Sequence, residues 1–218
     1  MKAVGVLKVI IIPVEVDTRF GSQDSELIEN PIHNLNLPIN RYVLSLGSLE
    51  PRKNLGRLLR AWEVIYRRLP EDVWLVVSGA KWKSVVFPEV MEFETLPPRV
   101  FLTRHVPEEL LPSLYAGAMG FAYLSVYEGF GLPPLEAMAS GAPTLVGNRA
   151  SLPEVVGDAA VQVDSFDIDA IADGLQRLIE DGSLRAALGQ KGQKQAKRFN
   201  WDKTAEQTWR VLEEAAGD

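Results

Sequence analysis

From residue 40 onward, short apolar runs alternate with segments of helical period, and that alternation leaves few folds open. Tyr42–Leu46, Val73–Val77, Val100–Leu102, Gly120–Tyr127, Pro143–Val146 and Ala160–Val163 read as strands. Between them, Asn54 is placed to cap a helix through Leu69, with Leu55, Leu58, Leu59, Trp62 and Ile65 on one face. Pro107 and two acids open a helix to Tyr115. Glu136–Gly141 reads as a short helix stopped by glycine, and Leu152–Val156 as a single turn. Asp167 caps Ile168–Ile179, Ser183 caps a helix to Phe199, and a last helix covers Asp202–Ala216. Trp82, Phe87, Pro88 and Phe93 give the stretch 81–97 no clean period. Strands this uniformly apolar are buried on both faces, so the expected fold class is α/β: a doubly wound, Rossmann-like parallel sheet covered by helices on each side.

The main domain is expected to span residues 41–218. Residues 1–40 read as a strand ending at Pro13, followed by a polar joining loop that contains Pro31 and Pro38. The first twelve residues resemble a weak signal peptide, but Lys8 interrupts the apolar run and no small-residue cleavage site precedes Glu15 and Asp17. No stretch reaches the length of a membrane span. A net charge of −6 over 218 residues argues against nucleic acid or an anionic membrane as the main partner. The absence of cysteine excludes a disulfide framework and a thiolate nucleophile, and two histidines, His33 and His105, cannot build a histidine-rich metal site. A reducing cytoplasm fits this composition.

Ligands in doubly wound sheets bind beyond the carboxyl ends of the strands. Ser48, Gly79, His105, Glu128 and Gly147 fall at such ends. The densest chemistry lies in Glu128-Gly-Phe-Gly-Leu-Pro-Pro-Leu-Glu136, where two carboxylates bracket a glycine turn between a strand and a helix. That turn aims free backbone N–H groups and the positive end of a helix at one point, which suits a phosphate. A second loop, Gly47-Ser48-Leu-Glu-Pro-Arg52-Lys53-Asn54, carries two cations at a neighbouring strand end. Alone it reads as solvated surface. Beside the glycine turn it supplies the counter-charge for a diphosphate, with Lys53 as a point charge and Arg52 as a fork.

The carboxylates then have hydroxyls to bind, which points to sugars. A glycosidase pair is the competing reading, but a hydrolase of neutral sugars needs no anion cradle. Asp167-Ile-Asp169 has a metal-holding spacing, which capping explains better. Glu154 reads as a first-turn acid, and Tyr115, Tyr123 and Tyr127 as core.

These residues resemble the carboxyl-terminal, nucleotide-sugar-binding domain of retaining glycosyltransferases of the family 4 type, which have two Rossmann-like domains (GT-B architecture). The matching stretches are Gly47–Leu55, Val106–Leu110, Glu128–Met138, Ser140–Pro143 and Leu152–Asp158, with Ile12–Asp17 similar to the segment between the two domains. The resemblance implies that Lys53 binds the donor diphosphate with Arg52 nearby. It implies that Gly129, Phe130, Gly131 and Leu132 cradle phosphate and sugar, Glu136 bonds the ribose, and Glu128 contacts the transferred sugar. The base would lie near Arg104–Val106, held largely through backbone. Lys53 and Glu128 are the catalytic candidates, and no metal or other cofactor is expected.

Two departures accompany the resemblance. Ser48 stands where the family often has arginine, as a mannosyltransferase-like subgroup tolerates. The family's amino-terminal acceptor domain is missing, the chain beginning at the hinge. The expected function is therefore the donor half of a retaining hexosyltransferase using GDP-mannose or a UDP-sugar, inactive alone, acting in the cytoplasm or at the inner membrane face through the absent domain. The alternatives are a nucleotide-sugar-binding module that transfers nothing without a partner chain, and a phosphorylase or epimerase. The last two need a cofactor lysine or a different acid arrangement, for which no residues are found. Surface facing the missing domain, including Trp201 and Trp209, is expected to be exposed or to pair weakly with a second copy.

Overall fold

The computed structural model describes residues 12–216 except 15, 22, 25–27, 30–31, 33–34, 36, 49, 80–95 and 104–105. The expected first strand, His33, Arg104, His105 and most of the ambiguous stretch 81–97 lie outside the described residues. Within them, strands β1 (Tyr42–Leu46), β2 (Trp74–Ser78), β3 (Val100–Thr103), β4 (Gly120–Tyr123), β5 (Thr144–Gly147) and β6 (Ala160–Val163) form one parallel sheet in the order β3-β2-β1-β4-β5-β6. The order reverses direction between β1 and β4, where Val43 pairs with Gly120 and Leu44 with Phe121. Crevices open at such a switch point, so this is where the fold puts its ligand.

Helices α1 (Leu55–Ile65) and α5 (Ile168–Glu180) cover one face. Leu55, Leu58, Leu59, Trp62 and Ile65 are all buried, as their spacing predicts, and share a core with Ile171, Leu175 and Leu178 of α5. The other face is covered by α2 (Leu111–Ala116), α3 (Leu132–Ala139), α4 (Leu152–Val156) and α6 (Gly182–Ala196). Phe20, Tyr115, Phe121 and Tyr123 run through that core, with ring centroids 5.9, 5.2 and 5.9 Å apart. Each large apolar side chain buried in these layers contributes about 1.5–3 kcal/mol.

Several boundaries differ from the sequence reading. Strand β4 ends at Tyr123, so residues 124–127 are loop rather than strand. Helix α3 begins at Leu132, with Pro133 and Pro134 in its first turn, which moves Glu136 into the second turn. Asp181, not Ser183, caps α6: its side chain accepts from the Leu184 N–H at 2.9 Å, and the Ser183 hydroxyl donates to it. Asn54 precedes α1 in the left-handed conformation (φ 60°) and makes no capping bond. Asp167 does cap α5, accepting from the Asp169 and Ala170 N–H groups.

The final helix, α7 (Trp201–Ala216), has no buried residue, and Trp201, Trp209 and Leu212 expose more than half their surface. The exposure expected of Trp201 and Trp209 is therefore found. The Thr204 hydroxyl holds the helix to the amino-terminal segment by donating to the Pro13 carbonyl at 2.6 Å. No helix among the described residues is long and apolar enough to cross a membrane.

Candidate active site

Four loops meet where β1 and β4 diverge. The first follows β1. Its entrance is set by Gly79, where a Cβ would lie 1.8 Å from the Gly47 carbonyl oxygen, so the β1 and β2 ends can meet only without a side chain. Pro51–Lys53 then forms one 3₁₀ turn that lifts Arg52 and Lys53 over the sheet end. Asn54 anchors this turn from below. It is 1% exposed, and its Nδ2 donates to the carbonyls of Ser165 (2.6 Å) and Leu124 (3.2 Å), tying the β1, β4 and β6 ends together.

The second loop brings Glu128 beneath these cations. Its Oε1 lies 2.6 Å from Lys53 Nζ, 2.7 Å from Ser125 Oγ, 2.8 Å from the Tyr123 hydroxyl and 2.9 Å from Arg52 Nη1. Four donors converge on one oxygen that has two lone pairs, so they cannot all bond it at once, and the single Ser125 hydroxyl proton also has the Arg52 carbonyl within reach at 2.9 Å. Burial alone would push the Glu128 carboxyl up, but the bonds from Lys53, Ser125 and Tyr123 outweigh it and hold the group below the ordinary glutamate value. The Tyr123 phenol is driven up by burial and by Glu128 beside it. Lys53 Nζ also lies 2.5 Å from the Tyr123 hydroxyl oxygen and 4.9 Å from its ring centre. Arg52 spans two carboxylates, since its Nε donates to Glu50 at 2.7 Å. The Ser48 hydroxyl donates to Glu50 as well, and the bonds from Ser48 and Arg52 hold the Glu50 carboxyl down.

The glycine turn supplies the other half of the cradle. Among the described residues, the N–H groups of Gly129, Phe130, Gly131 and Leu132 have no protein acceptor. Pro133 and Pro134 have no N–H, so these four amides are the donors at the positive end of α3. Gly131 sits at φ 110°, a region closed to most L-residues, and a Cβ there would come 2.9 Å from the Leu152 side chain. Ser151 fixes the turn by its hydroxyl, which lies 2.7 Å from the Phe130 carbonyl and 3.1 Å from that of Glu128. The Phe130 ring packs edge-on against Phe199, centroids 5.6 Å apart, so only its backbone faces the turn.

Glu136 lies apart from the cations. Its Oε2 accepts the Tyr115 hydroxyl at 3.0 Å, and burial raises its carboxyl above the ordinary value despite that bond and the charge of Arg19. Val106 is 6% exposed and packs into the core, so any contact it makes with a ligand runs through its backbone.

The structure thus brings together Arg52, Lys53, Glu128 and the amides of residues 129–132, with Glu136 on the same helix as the glycine turn. Sequence reasoning misses Glu50, Ser125 and Ser151 entirely. It places Tyr115 and Tyr123 in the core alone, whereas both are core rings whose hydroxyls bond the two site carboxylates. Of these, Ser125 alone has a local signal: a hydroxyl just past the end of a buried strand, three residues before a carboxylate.

Residues 32–195 match the family described as glycosyl transferases group 1. The O-antigen chain mannosyltransferase B of Escherichia coli is 41% identical over 168 residues, 77% of this chain and 44% of that enzyme. Among solved structures, the carboxyl-terminal domain of the group 1 glycosyl transferase LpcC from Francisella tularensis is 25% identical, with a TM-score of 0.71 over 84% of this chain and 97% of that one. The Anabaena protein HepE, solved with UDP and glucose, shares the fold at 22% identity and a TM-score of 0.77, covering 92% of this chain and 55% of its own. The chain spans about half the length, or less, of the curated relatives it matches over most of its own residues. With its parallel sheet, its crevice between β1 and β4 and this match across most of its length, the chain belongs to the group 1 glycosyl transferases, of GT-B type.

Proposed function

We propose that this chain is the donor-binding half of a retaining hexosyltransferase, with a nucleoside-diphosphate mannose as donor. The observation that carries the reading is the surplus of donors at Glu128: two cations and two hydroxyls on one carboxylate oxygen, facing four unpaired amides. An incoming diphosphate takes Lys53 and Arg52 and accepts from the amides of Gly129–Leu132. Glu128 then holds a hydroxyl of the transferred sugar, and Glu136 accepts from the ribose, much as the acid of a dinucleotide site does. The base lies along the backbone near Val106. The mannosyltransferase relative at 41% identity supports mannose as the sugar.

In the reaction the bond between anomeric carbon and diphosphate oxygen breaks as the acceptor hydroxyl approaches the same face. The acceptor proton passes to the departing phosphate oxygen, and the growing negative charge there is stabilised by Lys53 and the glycine-turn amides. No residue of the chain forms a covalent intermediate in this scheme. The acceptor is brought by an amino-terminal domain, which would also place the enzyme at the inner membrane face, and no metal or other cofactor takes part. A second reading is a nucleotide-sugar-binding module inactive without a partner chain.

Calorimetric titration with GDP, UDP and ADP tests the common core of both. GDP is expected to bind most tightly, and no heat with any of the three would refute both readings. Transfer that appears only when an amino-terminal domain is added separates the first reading from the second.

A further inference from the structure

Beyond the Lys53 cluster, the loops after β5 and β6 meet the start of α1 in a second cationic corner. Phe166, half exposed, has the guanidinium carbons of both Arg57 and Arg149 at 5.0 Å from its ring centre. Arg57 Nη1 donates to Asn54 Oδ1 at 3.0 Å, and Arg149 Nη2 donates to Asp164 at 3.0 and 3.3 Å. The remaining Nε and Nη groups of both arginines have no acceptor among the described residues. Asp164 is the carboxylate that pairs with this corner, while Asp167 is occupied by the N–H groups of Asp169 and Ala170. The corner therefore holds more guanidinium N–H donors than protein acceptors.

A second observation falls on the same two loops. Among the described residues, the buried side-chain polar atoms that lack a partner are Arg149 Nε and Ser165 Oγ. Leaving such a donor unmet costs about 1–3 kcal/mol, so orphaned donors are rare in folded proteins. Arg149 Nε belongs to one of the two guanidinium groups at the Phe166 ring, and Ser165 directly precedes Phe166 on the loop after β6. Strand ends are also where sheets of this class bind ligands.

We infer that Arg57, Arg149 and Phe166 form a second oxyanion site, for the phosphate group of a phosphate ester, separate from the Lys53 cradle. Two guanidinium forks with free edges suit a group with several oxygens spread in space better than a single-point anion does. The aromatic ring holds the two guanidinium groups in place by cation–π attraction. The site therefore serves a second, phosphate-bearing substrate, and it stands or falls independently of the donor reading.

The test is an NMR titration of the 218-residue chain with inorganic phosphate and with methyl phosphate, at ionic strength held constant with chloride. Both are expected to shift the amide signals of Arg149, Ser165 and Phe166 and the Nε–H signals of the two arginines. The double variant Arg57→Gln, Arg149→Gln is expected to weaken these shifts about tenfold or more, the scale of one lost charged contact. Should that variant lose its dispersed spectrum, Phe166→Ala, at an exposed position, carries the same expectation. Shifts confined to residues 52–53 and 129–132, equal shifts with chloride alone, binding of inorganic phosphate without methyl phosphate, or undiminished binding by the variants would each overturn the inference.

Discussion

Replacing Lys53 by Met removes the closest charge partner of Glu128 while keeping most of the side-chain volume. The side chains of Lys53 and Glu128 are 14% and 11% exposed. Breaking a buried pair costs about 3–5 kcal/mol, because the partner stays behind as an uncompensated charge. Arg52 still reaches Glu128 at 2.9 Å and is 40% exposed, so solvent and that second cation screen the loss to about 2–3 kcal/mol at neutral pH. For a domain of this size each kcal/mol shifts Tm by about 2–4 °C, which predicts a drop of roughly 5–10 °C. The pH dependence identifies the cause. In the parent chain the Glu128 carboxyl lies below its ordinary value, so its contribution is fully present above that value and fades as pH falls through the lowered one. In the variant the Lys53 bond is gone, so the Glu128 carboxyl is held down less, and less stability is lost as pH falls. The gap in Tm between the two proteins, followed by circular dichroism, should narrow steadily from neutral pH into the acid range. A gap that stays constant would refute the charge argument, since lost packing does not titrate.

Glu136→Gln should act in the opposite sense on stability. Its carboxyl is raised by burial, so the charged form is a cost present at neutral pH and relieved below it; the amide should raise Tm at neutral pH while weakening nucleotide binding by calorimetry. Gly131→Ala, forced to φ 110° and against Leu152, should lose roughly 1–3 kcal/mol in denaturant melts. Asn54→Ala should lose about 2–3 kcal/mol, since two buried carbonyls go unmet, and Asn54→Gly, which keeps the backbone conformation, should lose less. Trp209→Glu should abolish any self-association that light scattering detects for the parent at high concentration.

How far the sequence carries differs between fold and site. The sheet is legible because strands buried on both faces must be apolar throughout, and helix α1 because Leu55, Leu58, Leu59, Trp62 and Ile65 follow one helical stripe. Helix ends are less legible. Asn54 looks like a cap by residue type, but its side chain is drawn to the Leu124 and Ser165 carbonyls, partners 70 and 111 residues away that no local window contains. Glu136 reads as a first-turn acid only while the two prolines before it are read as turn rather than as helix start. At the site, Arg52, Lys53 and Glu128 stand out by their positions at strand ends, whereas Glu50 on the same loop does not. The hydroxyls of Tyr115 and Tyr123 do not either, because a buried tyrosine on a helix or a strand has the same pattern whether its tip is idle or bonded.

The charge count around Arg52 leads to one last expectation. Lys53 and Arg52 bring two positive charges, and Glu128 and Glu50 bring two negative ones, so the loop is balanced before any ligand arrives. A diphosphate must then compete with both carboxylates for the same cations. Glu128 has a sugar hydroxyl to turn to, but Glu50 does not: it is held by Ser48 and Arg52 and gains nothing when phosphate binds. Glu50→Gln therefore leaves one net positive charge at the cradle. Water screens the part-exposed Glu50, and at a dielectric constant near 80 a charge about 4 Å away changes binding by about 1 kcal/mol, or roughly fivefold. GDP should bind correspondingly tighter to the variant in calorimetry, with a steeper dependence on salt. If it binds more weakly instead, Glu50 is not a competitor but the group that points Arg52 at the ligand, and the ion pair between them is part of the binding geometry.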